Sequence, residues 1–238
     1  MAGIEAVIFD WGGTLTPWRT VDYVAEWRSI AAIGELPSGH DPESATAALH
    51  AAASHLWAQA RDEHRSATIE EICALVGVEL TAERIAAYRA YWEPATWTDL
   101  DVRPLFESLR ADGLAIGVLS NTVWPAAWHD EILDRDGVLH LIDGRVYTSE
   151  IDWTKPHEAA FAAARSAVGV DDPTACVYVG DRLFDDIWGA QNAGMRAIWV
   201  PHSDIPPEQL GHSEGKPDAI VQSLSDIPGL LSRINSPS

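Results

Sequence analysis

The chain has 238 residues, and its 16 Lys and Arg against 36 Asp and Glu give it a formal net charge of −20. Hydrophobic residues make up 47% of it and charged residues 22%, which is enough apolar material for a packed core and excludes a largely disordered chain. Because nucleic-acid backbones and anionic membranes would repel so acidic a protein, we expect neither as a partner.

The cysteine content and the apolar segments indicate the compartment. Cys73 and Cys176 lie far apart, outside any metal-binding spacing, and are interpreted as buried thiols in a reducing environment. The N-terminus lacks the basic start of a signal peptide, and no window approaches 18 uncharged apolar residues. We therefore expect a cytoplasmic protein without a membrane segment. The sequence carries no information on oligomeric state.

Short apolar runs, taken in chain order, predict the strands. They cover residues 6–9, 114–119, 175–179, 196–200 and 218–221, and they are continuously apolar, as in strands covered on both faces. Helical patterns at 104–111, 157–168 and 185–193 lie between them, and residues 202–217 are expected to form a surface loop. Strands that alternate with helices indicate a parallel sheet.

One long segment interrupts this alternation. Residues 18–98 contain no convincing strand but have helical patterns at 21–33, 43–64, 69–75 and 82–92. This is too long for a single crossover between neighbouring strands. We predict an inserted helical domain over 18–98, and a core domain formed by residues 1–17 and 99–238.

Polar residues follow several predicted strands at the point where each strand ends. In an open parallel sheet, ligands bind at these carboxyl ends, so we expect the side chains to meet there. They are Asp10 with Gly12 and Gly13, then Ser120 with Asn121, then Asp181 with Asp185 and Asp186; Lys155 precedes a helix nearby.

In this order, the residues resemble the motifs of the haloacid dehalogenase superfamily of hydrolases, most of which are Mg²⁺-dependent phosphatases. Its first motif, Asp-x-Asp-x-Thr, is matched by residues 10–14, and its second by a strand that ends in Ser120. The third is a lysine, here Lys155, and the fourth is Gly-Asp followed by an acidic turn, here residues 180–186. The resemblance covers about residues 4–225. It implies an α/β fold with a Rossmann-like parallel sheet core and a helical cap inserted after the first strand.

The resemblance also implies a role for each matching residue. Asp10 would be the nucleophile that accepts the phosphoryl group of a small phosphorylated substrate, and Lys155 would neutralise charge beside it. Mg²⁺ would be held by Asp10, the Gly12 carbonyl and Asp181, with Asp186 supporting the site. Hydrogen bonds to phosphoryl oxygens would come from Ser120 and the Asn121 backbone, with Gly13 in a turn that lets backbone approach the phosphate. Arg19, just after the first motif, is a further candidate for contact with the substrate anion.

One position departs from the family pattern. Gly12 stands where the family has a second aspartate, the general acid and base that protonates the leaving group. Such a group typically contributes ~10²–10⁴ in rate. Another group from the cap, with His40, Asp41 and Glu43 as candidates, would replace it, or the substrate has a good leaving group, or the protein is a weak or silent member.

Two other functions stay open at this stage. The superfamily's metal-free haloacid dehalogenases also lack the second aspartate, but they generally lose the acidic fourth motif that this chain keeps. A catalytically impaired member would instead bind a phosphorylated ligand or a protein partner. Cleavage of a carbon–phosphorus bond through a cap lysine is disfavoured because residues 18–98 contain no lysine.

The chain is also rich in tryptophan, with 11 in all. Four of them, Trp11, Trp18, Trp124 and Trp153, fall near the motif loops and are candidates for the walls of a substrate pocket. Trp57 and Trp92 are expected to hold the helices of the inserted segment together.

Overall fold

The computed structural model describes residues 3–201 and 215–235 of the chain. Its centre is a sheet of six parallel strands in the order β3-β2-β1-β4-β5-β6. The strands are β1 (Ala6–Phe9), β2 (Ala115–Ser120), β3 (Gly144–Tyr147), β4 (Cys176–Gly180), β5 (Arg196–Trp199) and β6 (Ala219–Ile220). The predicted Rossmann-like α/β core is confirmed. β1 lies between β2 and β4, so the ends of these three strands are neighbours.

Five strands lie where the apolar runs predicted them, but β3 was not predicted. Its four residues include Gly144 and the half-buried Arg145, so it lacks the continuous apolar pattern of the other strands. β3 forms because it pairs with β2, where Gly117 is opposite Gly144. Most of the loop predicted over 202–217 lies outside the described residues.

Four helices occupy the interval between β1 and β2, close to the predicted positions. They are α1 (Tyr23–Ala31), α2 (Pro42–Glu63), α3 (Ile69–Val76) and α4 (Ala82–Trp92). Each begins after a side chain that accepts a hydrogen bond from the first turn, namely Asp22, Asp41, Thr68 and Thr81. α1 packs on both α2 and α4, and α2 packs on α3.

The remaining helices surround the sheet. They are α5 (Val102–Ala111), α6 (Ala126–Arg135), α7 (Glu158–Ala167), α8 (Gly189–Asn192) and α9 (Ile227–Asn235); a π-helical turn, Leu183–Trp188, leads into α8. α6 was not predicted from sequence. Its buried face includes His129, which is fully buried beside Trp128 and Ile132 and interrupts the apolar pattern on which sequence reading depends.

The helical segment and the sheet meet at the carboxyl ends of the strands. The backbone N–H of Ile69 donates to the Val123 carbonyl, and that of Thr154 donates to the His64 carbonyl. Buried residues of the segment, among them Trp27 and Leu49, belong to one hydrophobic cluster with Phe9 and Phe106. This contact leaves a cleft between the segment and the strand ends. None of the helices described combines the length and hydropathy needed to cross a bilayer.

Candidate active site

The cleft has a volume of about 520 Å³ and gathers nearly all of the predicted site residues. Parallel strands end at the same edge of the sheet, which is why residues far apart in sequence meet there. Those that line the cleft are Asp10, Gly12, Gly13, Arg19, Ser120, Asn121, Lys155, Asp181 and Asp185. Asp186 is fully buried beneath them and contacts Lys155.

Lys155 is the electrostatic centre of the site. Its Nζ donates to Asp10 Oδ1 at 2.6 Å, to Asp186 Oδ1 at 2.7 Å and to the Tyr178 hydroxyl at 3.0 Å. The lysine side chain is only 3% exposed, and the two carboxylates raise its pKa well above the usual value despite burial. It therefore carries its charge at any ordinary pH and fixes the position of Asp10.

Two further residues hold Lys155 in place. The Asn121 amide accepts from the Lys155 backbone N–H at 2.8 Å and donates to its carbonyl at 3.0 Å. The Asn121 side chain therefore anchors the lysine loop. Tyr178, on β4, accepts from the lysine and donates to the Leu119 carbonyl. Sequence reasoning missed Tyr178, although a single tyrosine in the otherwise non-aromatic run of β4 was a usable signal.

Three carboxylates crowd together at this point. Ligand oxygens of Asp10, Asp181 and Asp186 all lie within 4.8 Å of one another. Burial raises the pKa of Asp10 to about 6, against the opposing attraction of Lys155, and burial with the neighbouring carboxylates raises the pKa of Asp181 well above its usual value. Among the described residues, neither oxygen of Asp181 has a hydrogen-bond partner, and Arg182 Nε lies 3.6 Å from Oδ2. A divalent cation would relieve this repulsion.

Adjacent glycines in the first motif have opposite environments. Gly13 has φ +90°, and a Cβ added there would lie 2.8 Å from Asp181 Oδ2. Gly12 is exposed, and a Cβ added to it would meet nothing within 4 Å. Gly13 is therefore required by the backbone and by the close approach of Asp181, whereas the place of the family's second aspartate is open space.

This difference predicts unequal effects of the two alanine substitutions. Gly13→Ala is expected to lower the free energy of unfolding by about 1–3 kcal/mol, because it forces a left-handed conformation on alanine. Gly12→Ala, its matched control one residue away, is expected to change the free energy by less than about 0.5 kcal/mol. Urea unfolding of both variants measures the difference. Equal free energies of unfolding for the two variants would show that position 13 does not require glycine.

No side chain replaces the missing aspartate from the predicted turn. Asp41 is the N-terminal cap of α2, and His40, Asp41 and Glu43 are all exposed and absent from the cleft wall. The helical segment instead contributes Arg19, Glu26 and His50 to the cleft wall, together with Tyr23 and Tyr88. Glu26 was not singled out from sequence.

Aromatic rings form much of the cleft wall. Trp11, Trp18 and Trp124 line it as predicted, but Trp153 does not, since its ring stacks on His157 with centroids 4.1 Å apart. Trp57 and Trp92, which were expected to hold the helices of the inserted segment together, also line the cleft. Trp92 does join α4 to α1, because its Nε1 donates to Glu26. Trp57 is 42% exposed.

The chain is similar to known proteins in both sequence and fold. A model of the haloacid dehalogenase-like hydrolase family matches residues 4–194, which is most of the chain. The chain belongs to this family. It is thus a phosphatase-like hydrolase, and the match includes Asp10, Ser120, Lys155 and Asp181.

The relatives of this family member include phosphatases and dehalogenases. Glyceraldehyde 3-phosphate phosphatase from Methanopyrus kandleri is 28% identical over 90% of this chain and 91% of its own. Among solved structures, a phosphatase of this family from Thermococcus onnurineus superposes with a TM-score of 0.66 at 21% identity, over 96% of this chain and 98% of that one. A 2-haloacid dehalogenase from Pseudomonas syringae gives 0.63 at 24% identity, over 97% and 99%. These two superpositions show the fold and do not separate the two chemistries.

Proposed function

We propose that the protein is a Mg²⁺-dependent phosphatase that hydrolyses a small phosphorylated metabolite through a phosphoryl group carried on Asp10. The observation that carries this proposal is the pairing of Asp10 with the buried Lys155 beside Asp181, whose carboxylate accepts no hydrogen bond from the described residues. The phosphatase from Methanopyrus kandleri supports the same reaction class over nearly the whole chain.

The donor set fits Mg²⁺. Asp10, Asp181 and Asp186 offer hard carboxylate oxygens within 4.8 Å of one another. The buried oxygens of Asp181 accept no hydrogen bond within the described part of the chain, which costs free energy that a bound cation would recover. The Gly12 carbonyl is the further ligand that the motif implies. When bound, Mg²⁺ would neutralise charge that develops on the transferring phosphoryl group.

The residues of the chain account for the two chemical steps. A carboxylate oxygen of Asp10 attacks phosphorus, an acyl phosphate forms, and the bond from phosphorus to the ester oxygen breaks. The leaving oxygen takes a proton from water, because Gly12 offers none. Water then attacks phosphorus, which releases phosphate and regenerates the Asp10 carboxylate. Lys155 orients Asp10 throughout, and Ser120 donates to a phosphoryl oxygen.

The helical segment, residues 18–98, would act as a cap domain over a core formed by 1–17 and 99–238. It contributes Arg19, Glu26 and His50 to the cleft that also contains Asp10. Closure of such a cap would exclude bulk water from the phosphoryl group. Arg19 is exposed on this wall and remains a candidate for contact with the substrate. The buried free thiols of Cys73 and Cys176 are compatible with the expected cytoplasmic location.

Phosphate release from a panel of phosphorylated metabolites and one aryl phosphate, with and without Mg²⁺, tests the proposal. We expect turnover that requires Mg²⁺ and is lost in Asp10→Asn. Turnover of 2-haloacids without metal would show that the protein is a dehalogenase and not a phosphatase. A folded protein that binds Mg²⁺ but releases no phosphate from any substrate would favour a role in binding.

Restoring the missing aspartate should raise activity selectively. The side chain of Gly12→Asp would enter open space in the cleft wall, so we expect it to be accommodated. A positioned acid assists poor leaving groups most, and we expect kcat on an alkyl phosphate to rise by about tenfold or more, with little change on an aryl phosphate. Gly12→Asn, which has the same size but no acid, is the control. A similar gain in kcat for both variants would contradict the explanation that the new aspartate acts as a general acid.

A further inference from the structure

The helical segment places a buried carboxyl group in the cleft wall, where it has no partner of opposite charge among the described residues. Glu26, on α1, is 5% exposed, and its Oε2 accepts from the Tyr88 hydroxyl at 3.2 Å and from Trp92 Nε1 at 3.0 Å. No Lys, Arg or His nitrogen in the described part of the chain lies within 4.0 Å of it. Burial raises its pKa to about 7. A cation brought by a ligand would stabilise the ionised form.

The surroundings of Glu26 suit an organic cation. Its neighbours on the cleft wall are the rings of Trp27, Tyr88 and Trp92, with Trp27 and Tyr88 in contact at a centroid distance of 5.6 Å. Tyr23 and Trp57, which are 40% and 42% exposed, line the same cleft. Aromatic faces attract ammonium groups, and a carboxylate among them adds direct charge attraction.

A series of contacting side chains in the cleft wall connects Glu26 to the reaction centre. Trp11 follows Asp10 directly, and its ring lies 5.9 Å from that of Trp124. Trp124 Nε1 donates to the Tyr88 hydroxyl at 3.2 Å, and that hydroxyl donates to Glu26. A molecule whose phosphoryl group lies on Asp10 would therefore extend along this wall toward Glu26.

The charged groups of the cleft differ between the strand ends and the helical segment. Lys155 and Arg182 are paired with Asp10 and Asp181, where a phosphoryl group and Mg²⁺ would lie. Glu26 is the carboxyl group that the helical segment contributes among the described residues of the cleft, which also include Arg19 and His50. Such a cleft complements a molecule that is negative at one end and positive at the other. The net charge of −20 also attracts a cationic group.

We propose that Glu26 and the rings around it bind a positively charged end of the substrate, so that the preferred substrates are phosphomonoesters of amino or quaternary ammonium alcohols. This inference rests on the proposed phosphatase function and names its substrate class. It separates this chain from phosphatases of uncharged or purely anionic phosphate esters.

The first test compares a cationic ester with its neutral isostere. Phosphocholine and 3,3-dimethylbutyl phosphate have the same shape and differ in charge, and aminoalkyl phosphates of two to six carbons with matching alkyl phosphates vary the length. With Mg²⁺, we expect kcat/KM to favour the cationic member of the best pair by about tenfold or more. Glu26→Gln should reduce that ratio to about one, while Glu83→Gln, an exposed α4 control outside the cleft, should retain it.

The second test measures binding without turnover. Calorimetry on Asp10→Asn with the same pairs should show tighter binding of the cationic esters, and Asp10→Asn combined with Glu26→Gln should remove the difference. Equal affinity across all pairs overturns the cation subsite, even where both esters are hydrolysed and the phosphatase function stands. Selective binding by a protein that hydrolyses none of the esters supports the subsite and counts against the phosphatase.

Discussion

Asp10→Asn is expected to reduce phosphatase turnover by at least about 10⁴-fold, because it replaces the attacking carboxylate with a group that cannot form a stable acyl phosphate. The fold should persist. Lys155 keeps its 2.7 Å contact with Asp186, and the amide of asparagine occupies almost the same space as the carboxylate. The loss should therefore appear in kcat, with substrate binding largely retained.

Rapid acid quench followed by peptide mass analysis adds a direct readout. The wild-type protein should carry one phosphoryl group on the peptide that contains Asp10 during turnover, and the variant should carry none. Asp112→Asn, an exposed aspartate at the end of α5, is the matched control and should behave like wild type. Turnover that persists in Asp10→Asn would show that Asp10 is not the nucleophile.

Lys155→Met is expected to lower the free energy of unfolding of the metal-free protein by about 3–5 kcal/mol and to abolish turnover. Methionine fills a similar volume but leaves Asp10 and Asp186 buried without their shared cation. The two carboxylates then repel each other, and Asp181 adds a third group within 4.8 Å. Protonation of one of these carboxylates would also remove the repulsion. We therefore expect the folded variant to take up protons that the wild-type protein does not bind.

The chain provides a matched control for this substitution. It contains two lysines, and the second, Lys216, is exposed, so Lys216→Met should change stability by less than about 0.5 kcal/mol. Unfolding in urea, with and without Mg²⁺, measures both variants. We expect Mg²⁺ to narrow the gap between Lys155→Met and wild type. If the two methionine variants were equally stable without metal, the ion pairs of Lys155 would contribute nothing to folding.

The limits of sequence reading are visible in particular elements. β1, β2 and β4 are buried on both faces, so their composition alone indicates strands. β3 and α6 were missed because Gly144, Arg145 and the buried His129 break the patterns that define strands and helices. Both elements are stabilised by partners distant in sequence: β3 by pairing with β2, and α6 by packing that buries His129 against Trp11 and Tyr147.

The sequence by itself determined the class of fold and which residues would collect at one edge of the sheet, because the carboxyl ends of parallel strands must meet there. Only the tertiary structure decided how Lys155 is shared between Asp10 and Asp186, and that Asp181 accepts no hydrogen bond from the residues described. It also decided the position of Glu26. That carboxyl is buried by Tyr88 and Trp92, which are 62 and 66 residues away, and burial by distant residues leaves no local pattern in the sequence.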